Sequence, residues 1–220
     1  MGVNEYPTTG RQARGTSAGK APVTYPAEPW DLHGHALVGV WLVPKGVAPP
    51  PHHARTAQIR LFGRTIVAAA FFRYDEPSPL TYDEIMATQL VRQGLRPRIS
   101  ITHIWVDSPA SRDGGRELWA IPKDLAEFER TTDHAYLARG IGRLRLGRIR
   151  MLPFTVPTGF RLAQDRAGAL VASPVRGRVR LGLTKGAWSF DLDGPLAFLS
   201  GRRPLLTIAI RPFHILFGHR

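Results

Sequence analysis

Lysine is scarce in this chain: 26 of its 30 basic residues are arginines, leaving only Lys20, Lys45, Lys123 and Lys185. Lys123 differs from the other three in its apolar surroundings, with Leu118-Trp119-Ala120-Ile121-Pro122 before it and Leu125 after it. An amine held among apolar groups is suited to attack a carbonyl carbon and form an imine, because burial penalises the ammonium and favours the nucleophilic neutral form. That help matters, since about one free lysine in 2,500 is neutral at pH 7, a handicap of roughly 4.6 kcal/mol. The same local sequence also fits an ordinary strand-end lysine whose stem lies along Trp119 or Leu125 while its charge stays in water.

Other chemistries find less support. The chain has no cysteine, which excludes a thiol nucleophile, a Cys-ligated metal and a disulfide framework. His52 and His53 follow Pro49-Pro50-Pro51, a context that predicts solvent-facing rings, and His33 and His35 alternate without an HExxH-type helix. No metal is expected.

The wider segment Gly115-Arg116-Glu117-Leu118-Trp119-Ala120-Ile121-Pro122-Lys123 resembles the active-site signature of the acetoacetate decarboxylase family, in which the lysine after proline forms the imine. Upstream, Tyr82-Asp83-Glu84 resembles the Tyr-x-Glu of the same family, whose glutamate lies in the active site, and the spacing to Lys123 agrees. Tyr25-Pro26-Ala27-Glu28-Pro29-Trp30 and Thr102-His103-Ile104-Trp105-Val106-Asp107-Ser108 are also similar to stretches of bacterial relatives, without an assignable role. The resemblance spans residues 25–220 and implies Lys123 and Glu84 as catalytic residues, with Tyr82, Arg116, Glu117 and Trp119 near the substrate. It implies a closed antiparallel β-barrel with a few peripheral helices, a homo-oligomer, a small keto acid or related carbonyl substrate, and no metal or organic cofactor. Arg116 and Glu117 fit equally well as an ion pair beneath the site. The sequence departs from the family pattern at Asp124, where well-studied members carry a second lysine, and at Ala69, where a further glutamate is expected.

The elements that must hold these residues read mainly as strands. Ala36 to Val43, Thr65 to Tyr74 and Arg98 to Asp107 are runs rich in apolar, β-branched or aromatic residues bounded by turn signals. Arg139 to Arg150 alternates arginine with leucine or isoleucine, the pattern of a half-buried strand, and Arg176, Arg178 and Arg180 share one face of another. Leu205 to Ile210 reads as a final strand, followed by a Pro-started apolar segment over 211–217. Thr81 three residues before Glu84 is a capping-box pattern, and the apolar residues that follow predict a short helix to Gly94. Short strands without recurring βα alternation predict a mostly β, α+β fold, with the sheet closed into a barrel or packed as a sandwich.

A 43% hydrophobic and 21% charged composition supports a sizeable core, and 220 residues fit one β domain over 25–220 behind a loose tail over 1–24. No run approaches the ~18 apolar residues of a membrane span or resembles a signal sequence, so a cytoplasmic protein is expected. The net charge of +13 invites a nucleic-acid reading, but the arginines are scattered and no reader motif accompanies them, which argues against it. The first reading is therefore a Schiff-base carbon–carbon lyase. Alternatives keep the imine for aldol, dehydration or cyclisation chemistry on a larger metabolite, or make the fold a non-catalytic ligand-binding barrel in which a charged Lys123 pairs with a carboxylate.

Overall fold

Strands dominate the architecture, and the central ones are covered on both faces. In the computed structural model, which describes residues 24–132 and 134–219, the main sheet is built from β1 (Trp30–Val43), β2 (Ala57–Gln58), β3 (Arg60–Leu61), β4 (Arg64–Asp75), β5 (Tyr82–Gln93), β6 (Arg96–Val106), β7 (Lys123–Leu125), β11 (Arg150–Arg161), β14 (Pro174–Thr184) and β16 (Leu206–Phe217). Its order is β11-β14-β16-β1-β4-β5-β6-β7, with β2 against β5 and β3 against β4. All pairings are antiparallel except β6 with β7. A second sheet joins β8 (Phe128–Thr132), β9 (Ala135–Ala138), β10 (Gly142–Leu146) and β15 (Gly186–Phe190), and β12 (Gln164–Arg166) pairs with β13 (Ala169–Val171).

Side-chain alternation along the central strands feeds two cores. Leu37, Trp41, Val67, Phe71 and Ile85 point to the second sheet and meet Tyr136, Leu144 and Phe190. Trp30, Leu32, Tyr74, Tyr82, Ile101 and Ile104 point the other way, into a core shared with the one α-helix among the described residues, α1 (Pro109–Trp119). Burial of each such large side chain contributes about 1.5–3 kcal/mol. Thr102 is an unpaired extra residue in β6 opposite β5, and this bulge lets both Ile101 and Ile104 reach the same core.

Several expectations change. The predicted helix over 81–94 is strand β5. Tyr82 and Glu84 face the α1 side while Ile85 and Ala87 face the second sheet, so both sides are buried and the polar alternation that marks a strand is lost. The main sheet is not closed by a ladder: Leu162, just past the end of β11, forms an isolated bridge to Ile99 on β6. The Gln164 amide completes that seam by accepting from the Ile101 N–H at 2.8 Å and donating to the Ile101 carbonyl at 3.0 Å. The fold is thus mostly β, a rolled open sheet with, among the described residues, one α-helix and a 3-10 turn at Ala197–Leu199. The expected final strand and the Pro-started segment are one strand, β16, with a register shift beside Pro212. His53 is buried rather than solvent-facing, with its Nε2 3.0 Å from the Gly168 carbonyl. The tail expectation for 1–24 falls, apart from Thr24, outside the described residues.

Strands β1 and β4 contain the first two predicted apolar runs and β6 the third up to Val106, and Leu144 is buried between exposed Arg143 and Arg145 on β10. Among the described residues no helix is long and apolar enough to cross a membrane.

Candidate active site

The site is assembled where α1 turns back on the main sheet. Ser108 caps the helix by accepting from the Ser111 N–H at 3.2 Å, and Pro109 occupies the first turn, where its missing N–H costs nothing. At the other end Ala120 adopts a left-handed conformation, φ 55°, and its N–H returns to the Arg116 carbonyl at 3.1 Å. The Ile121 N–H reaches back to Gly115 at 3.0 Å, so the chain reverses and lays Lys123 alongside the helix it has just left. Arg116 secures the reversal by donating from Nε to the Lys123 carbonyl at 2.6 Å.

Glycines in a helix cost about 1 kcal/mol each relative to alanine, yet α1 carries two in succession. A Cβ on Gly115 would stand 2.8 Å from Cδ and 2.9 Å from Cε of Lys123, and one on Gly114 would stand 2.7 Å from the Trp30 ring. The glycines open the space through which the lysine stem passes.

The Lys123 ammonium is buried, and its three donors meet three oxygens: Glu84 Oε2 at 2.8 Å, Ser111 Oγ at 2.8 Å and the Tyr82 hydroxyl at 3.4 Å. The same Nζ lies 4.9 Å from the Tyr82 ring centroid. Glu84, 1% exposed, uses its other oxygen, Oε1, to accept from the Tyr74 hydroxyl at 3.1 Å, and the Tyr74 and Tyr82 rings stack at 4.3 Å. Burial acts to lower the lysine pKa, but the Glu84 carboxylate and Tyr82 outweigh it and hold the group above its ordinary value. The sequence-based expectation that an apolar pocket alone would depress it is therefore reversed by a partner 39 residues away in sequence. Both tyrosines are pushed up, Tyr74 by burial and Glu84, and Tyr82 by burial against the opposing pull of Lys123, so both remain phenols.

Of the residues singled out in the sequence, Lys123, Glu84 and Tyr82 come together, and Trp119 lines the same small chamber of about 30 Å³. The Trp119 indole donates to Glu28 Oε2 at 2.7 Å and packs edge-on against Trp30 at 4.9 Å, which gives the Tyr25–Trp30 segment a structural role. Arg116 and Glu117 do not reach the chamber. Arg116 holds the Lys123 backbone and lies 3.7 Å from Asp124, whereas Glu117 is exposed, so the two do not form the expected pair. Asp124 is exposed and caps its own strand by accepting from the Leu125 N–H at 2.9 Å, the orientation expected of a residue adjacent to an inward-facing lysine. Ala69 faces the opposite core; Tyr74 is the β4 side chain that reaches Glu84. Ser111 and Tyr74 were not singled out from sequence, and neither stands in a motif that marks it.

Among the described residues, Asp31, His33 and His214 place ligand atoms within 4.8 Å of one another. Asp31 and His33 alternate with Trp30 and Leu32, which point into the core around Lys123, so this surface group lies on the other side of β1.

Comparison with known proteins bears on the fold and the family. Curated protein sequences give no match. Among solved structures, the acetoacetate decarboxylase of Legionella pneumophila subsp. pneumophila str. Philadelphia 1 is similar with a TM-score of 0.62 at 15% identity, over 91% of this chain and 90% of that one. The enduracididine biosynthesis enzyme MppR complexed with pyruvate is similar at 0.54 and 14% identity, over 90% of each chain. An acetoacetate decarboxylase-like enzyme from Sphingomonas wittichii RW1 is similar at 0.55 and 13%, over 93% and 97%. At these identities the likeness is one of fold. The family described as acetoacetate decarboxylase (ADC) matches residues 54–175, more than half of the sequence and a span that includes β4, β5, α1 and Lys123. The chain belongs to the acetoacetate decarboxylase family.

Proposed function

We propose that the protein is a Schiff-base carbon–carbon lyase in which Lys123 forms an imine with a keto acid or related carbonyl compound and Glu84 handles the proton. The observation that supports this most is the 2.8 Å contact between Lys123 Nζ and Glu84 Oε2, with both groups almost sealed from water. At rest the lysine is an ammonium. Transfer of its proton to Glu84 replaces two buried charges by a neutral amine and acid, and a substrate that displaces the last water from the chamber favours that exchange. The amine adds to the carbonyl carbon, and its proton passes to the former carbonyl oxygen. Glu84 then protonates that hydroxyl, so that water leaves and a protonated imine remains.

The cationic nitrogen accepts the electron pair of the bond to a neighbouring carboxylate, CO₂ departs and an enamine is left. Glu84, reprotonated from solvent, delivers a proton to the enamine carbon, and one water hydrolyses the imine to release ketone and restore the ammonium. Tyr82 and Ser111, both touching Nζ, orient the amine for attack.

A second reading keeps the imine without decarboxylation. It is favoured because, among the described residues, no cation besides Lys123 lines the chamber, so a substrate carboxylate has no opposite charge to meet. An enamine from a neutral carbonyl compound would instead undergo aldol addition or dehydration. Both readings require the carbonyl oxygen to be lost as water, so a simple ketone incubated in ¹⁸O-water should exchange its oxygen with wild type and not with Lys123→Ala. Equal exchange by the two proteins contradicts the imine, and release of labelled CO₂ from a carboxyl-labelled β-keto acid separates the two readings.

A further inference from the structure

The small chamber at Lys123 abuts a second, larger one. That cavity, of about 240 Å³, lies on the same side of the sheet and shares the Tyr74, Met86, Ile101 and Phe217 walls with the first. Its floor is made by short side chains on neighbouring strands, Val38 on β1 and Ala68 and Ala70 on β4, and its roof by Phe160 and Leu162 at the seam that Gln164 fastens. Ala70 is paired directly with Met86, whose unbranched side chain adapts readily to what lies beside it. Beyond Tyr74, whose hydroxyl is engaged by Glu84, and Thr88, the lining side chains are apolar, and among the described residues no charged side chain lines this cavity.

We propose that this second chamber is the binding site for an uncharged, apolar tail on the substrate, which makes the protein's substrate a carbonyl compound bearing an alkyl or aryl chain. The assignment rests on the imine reading for the carbonyl end, but it is carried by the size and lining of a cavity distinct from the Lys123–Glu84 pair. The carbonyl carbon sits at Lys123 Nζ, and the chain passes Met86 and Phe217 to lie over Ala68 and Ala70. A carboxylate or ammonium at the far end of the chain would have to leave water with no partner, and is rejected.

The test is a homologous series of methyl ketones from butanone to octanone, together with an octanone analogue carrying a terminal carboxylate. Each is titrated twice: by borohydride trapping read as intact mass, and by calorimetric binding, which needs no covalent step. Affinity is expected to rise about fourfold per methylene, more than a hundredfold across the series, and the terminal carboxylate is expected to abolish the gain. In Ala70→Phe, or in Ala68→Leu should the first variant melt early, the long-to-short affinity ratio is expected to collapse toward one. Adducts that form with no dependence on chain length overturn the apolar-tail assignment and leave the imine standing. Binding that strengthens with length while no ketone is trapped upholds the chamber and removes the imine. A charged tail that binds as well as the neutral one also overturns the proposal.

Discussion

Replacing Glu84 by glutamine is expected to destabilise the protein at pH 6 far more than at pH 9. The Lys123 and Glu84 side chains are 5% and 1% exposed and 2.8 Å apart. Removing one partner of such a buried pair leaves an uncompensated charge and costs about 3–5 kcal/mol. Glutamine keeps the shape and one acceptor oxygen, which places the cost near the lower end, about 3 kcal/mol. For a chain of this size that corresponds to a melting temperature roughly 6–12 °C lower.

The pH dependence follows from linkage. In wild type the Lys123 pKa is raised above its ordinary 10.5 by Glu84 and Tyr82 against burial, so the stability this adds is fully present below that value and is lost only as pH climbs through the raised folded value. In the variant burial is no longer outweighed by a carboxylate. The folded-state pKa falls below the unfolded one, the unfolded chain binds more protons, and stability rises with pH at up to about 1.4 kcal/mol per unit. Thermal unfolding of both proteins between pH 6 and 9 therefore shows the deficit shrinking by at least half. A variant as stable as wild type at pH 6, or a deficit that does not change with pH, refutes the assignment of a buried ammonium paired with Glu84.

Other substitutions probe the frame around the pair. Gly115→Ala puts a methyl group within 3 Å of the lysine stem, and is expected to cost about 1–3 kcal/mol and to slow imine trapping at least tenfold; trapping at the wild-type rate shows that the stem does not need that space. Ser111→Ala takes one acceptor from Nζ and is expected to cost about 1–3 kcal/mol, with the trapping rate falling more than the melting temperature alone explains. Gln164→Ala removes both side-chain hydrogen bonds to Ile101 across the seam and is expected to raise exchange of the Ile101 amide in hydrogen-exchange measurements while the β4–β5 amides stay protected; uniform loss of protection would mean that the seam is not a separate unit.

The sequence carried the candidate lysine more clearly than the frame that presents it. Lys123 could be found because a scarce residue type stood in a motif and among apolar neighbours. Strands β1, β4 and β6 were legible because continuous β-branched and aromatic runs end at turn residues. Glu84 does meet Lys123, but from a different element than expected: Thr81 and Glu84 imitate a capping box, and a strand packed on both faces shows no polar alternation to contradict it. Helix α1 escaped notice although Ser108-Pro109 is a start signal, because Gly114 and Gly115 oppose helix formation and are retained for the passage of Lys123 and the packing of Trp30. The reversed sign of the lysine pKa, the Gln164 clasp and the open seam depend on contacts between residues 39 to 63 positions apart, and no local pattern encodes them.

The most direct measurement is borohydride reduction of the intact protein with a keto acid or ketone, followed by peptide mapping of the added mass. One adduct is expected, on Lys123, absent in Lys123→Ala and not diminished in Lys45→Ala or Lys185→Ala. An adduct shared among the exposed lysines, or none on Lys123 while the variants remain folded, contradicts an imine at the Lys123–Glu84 pair.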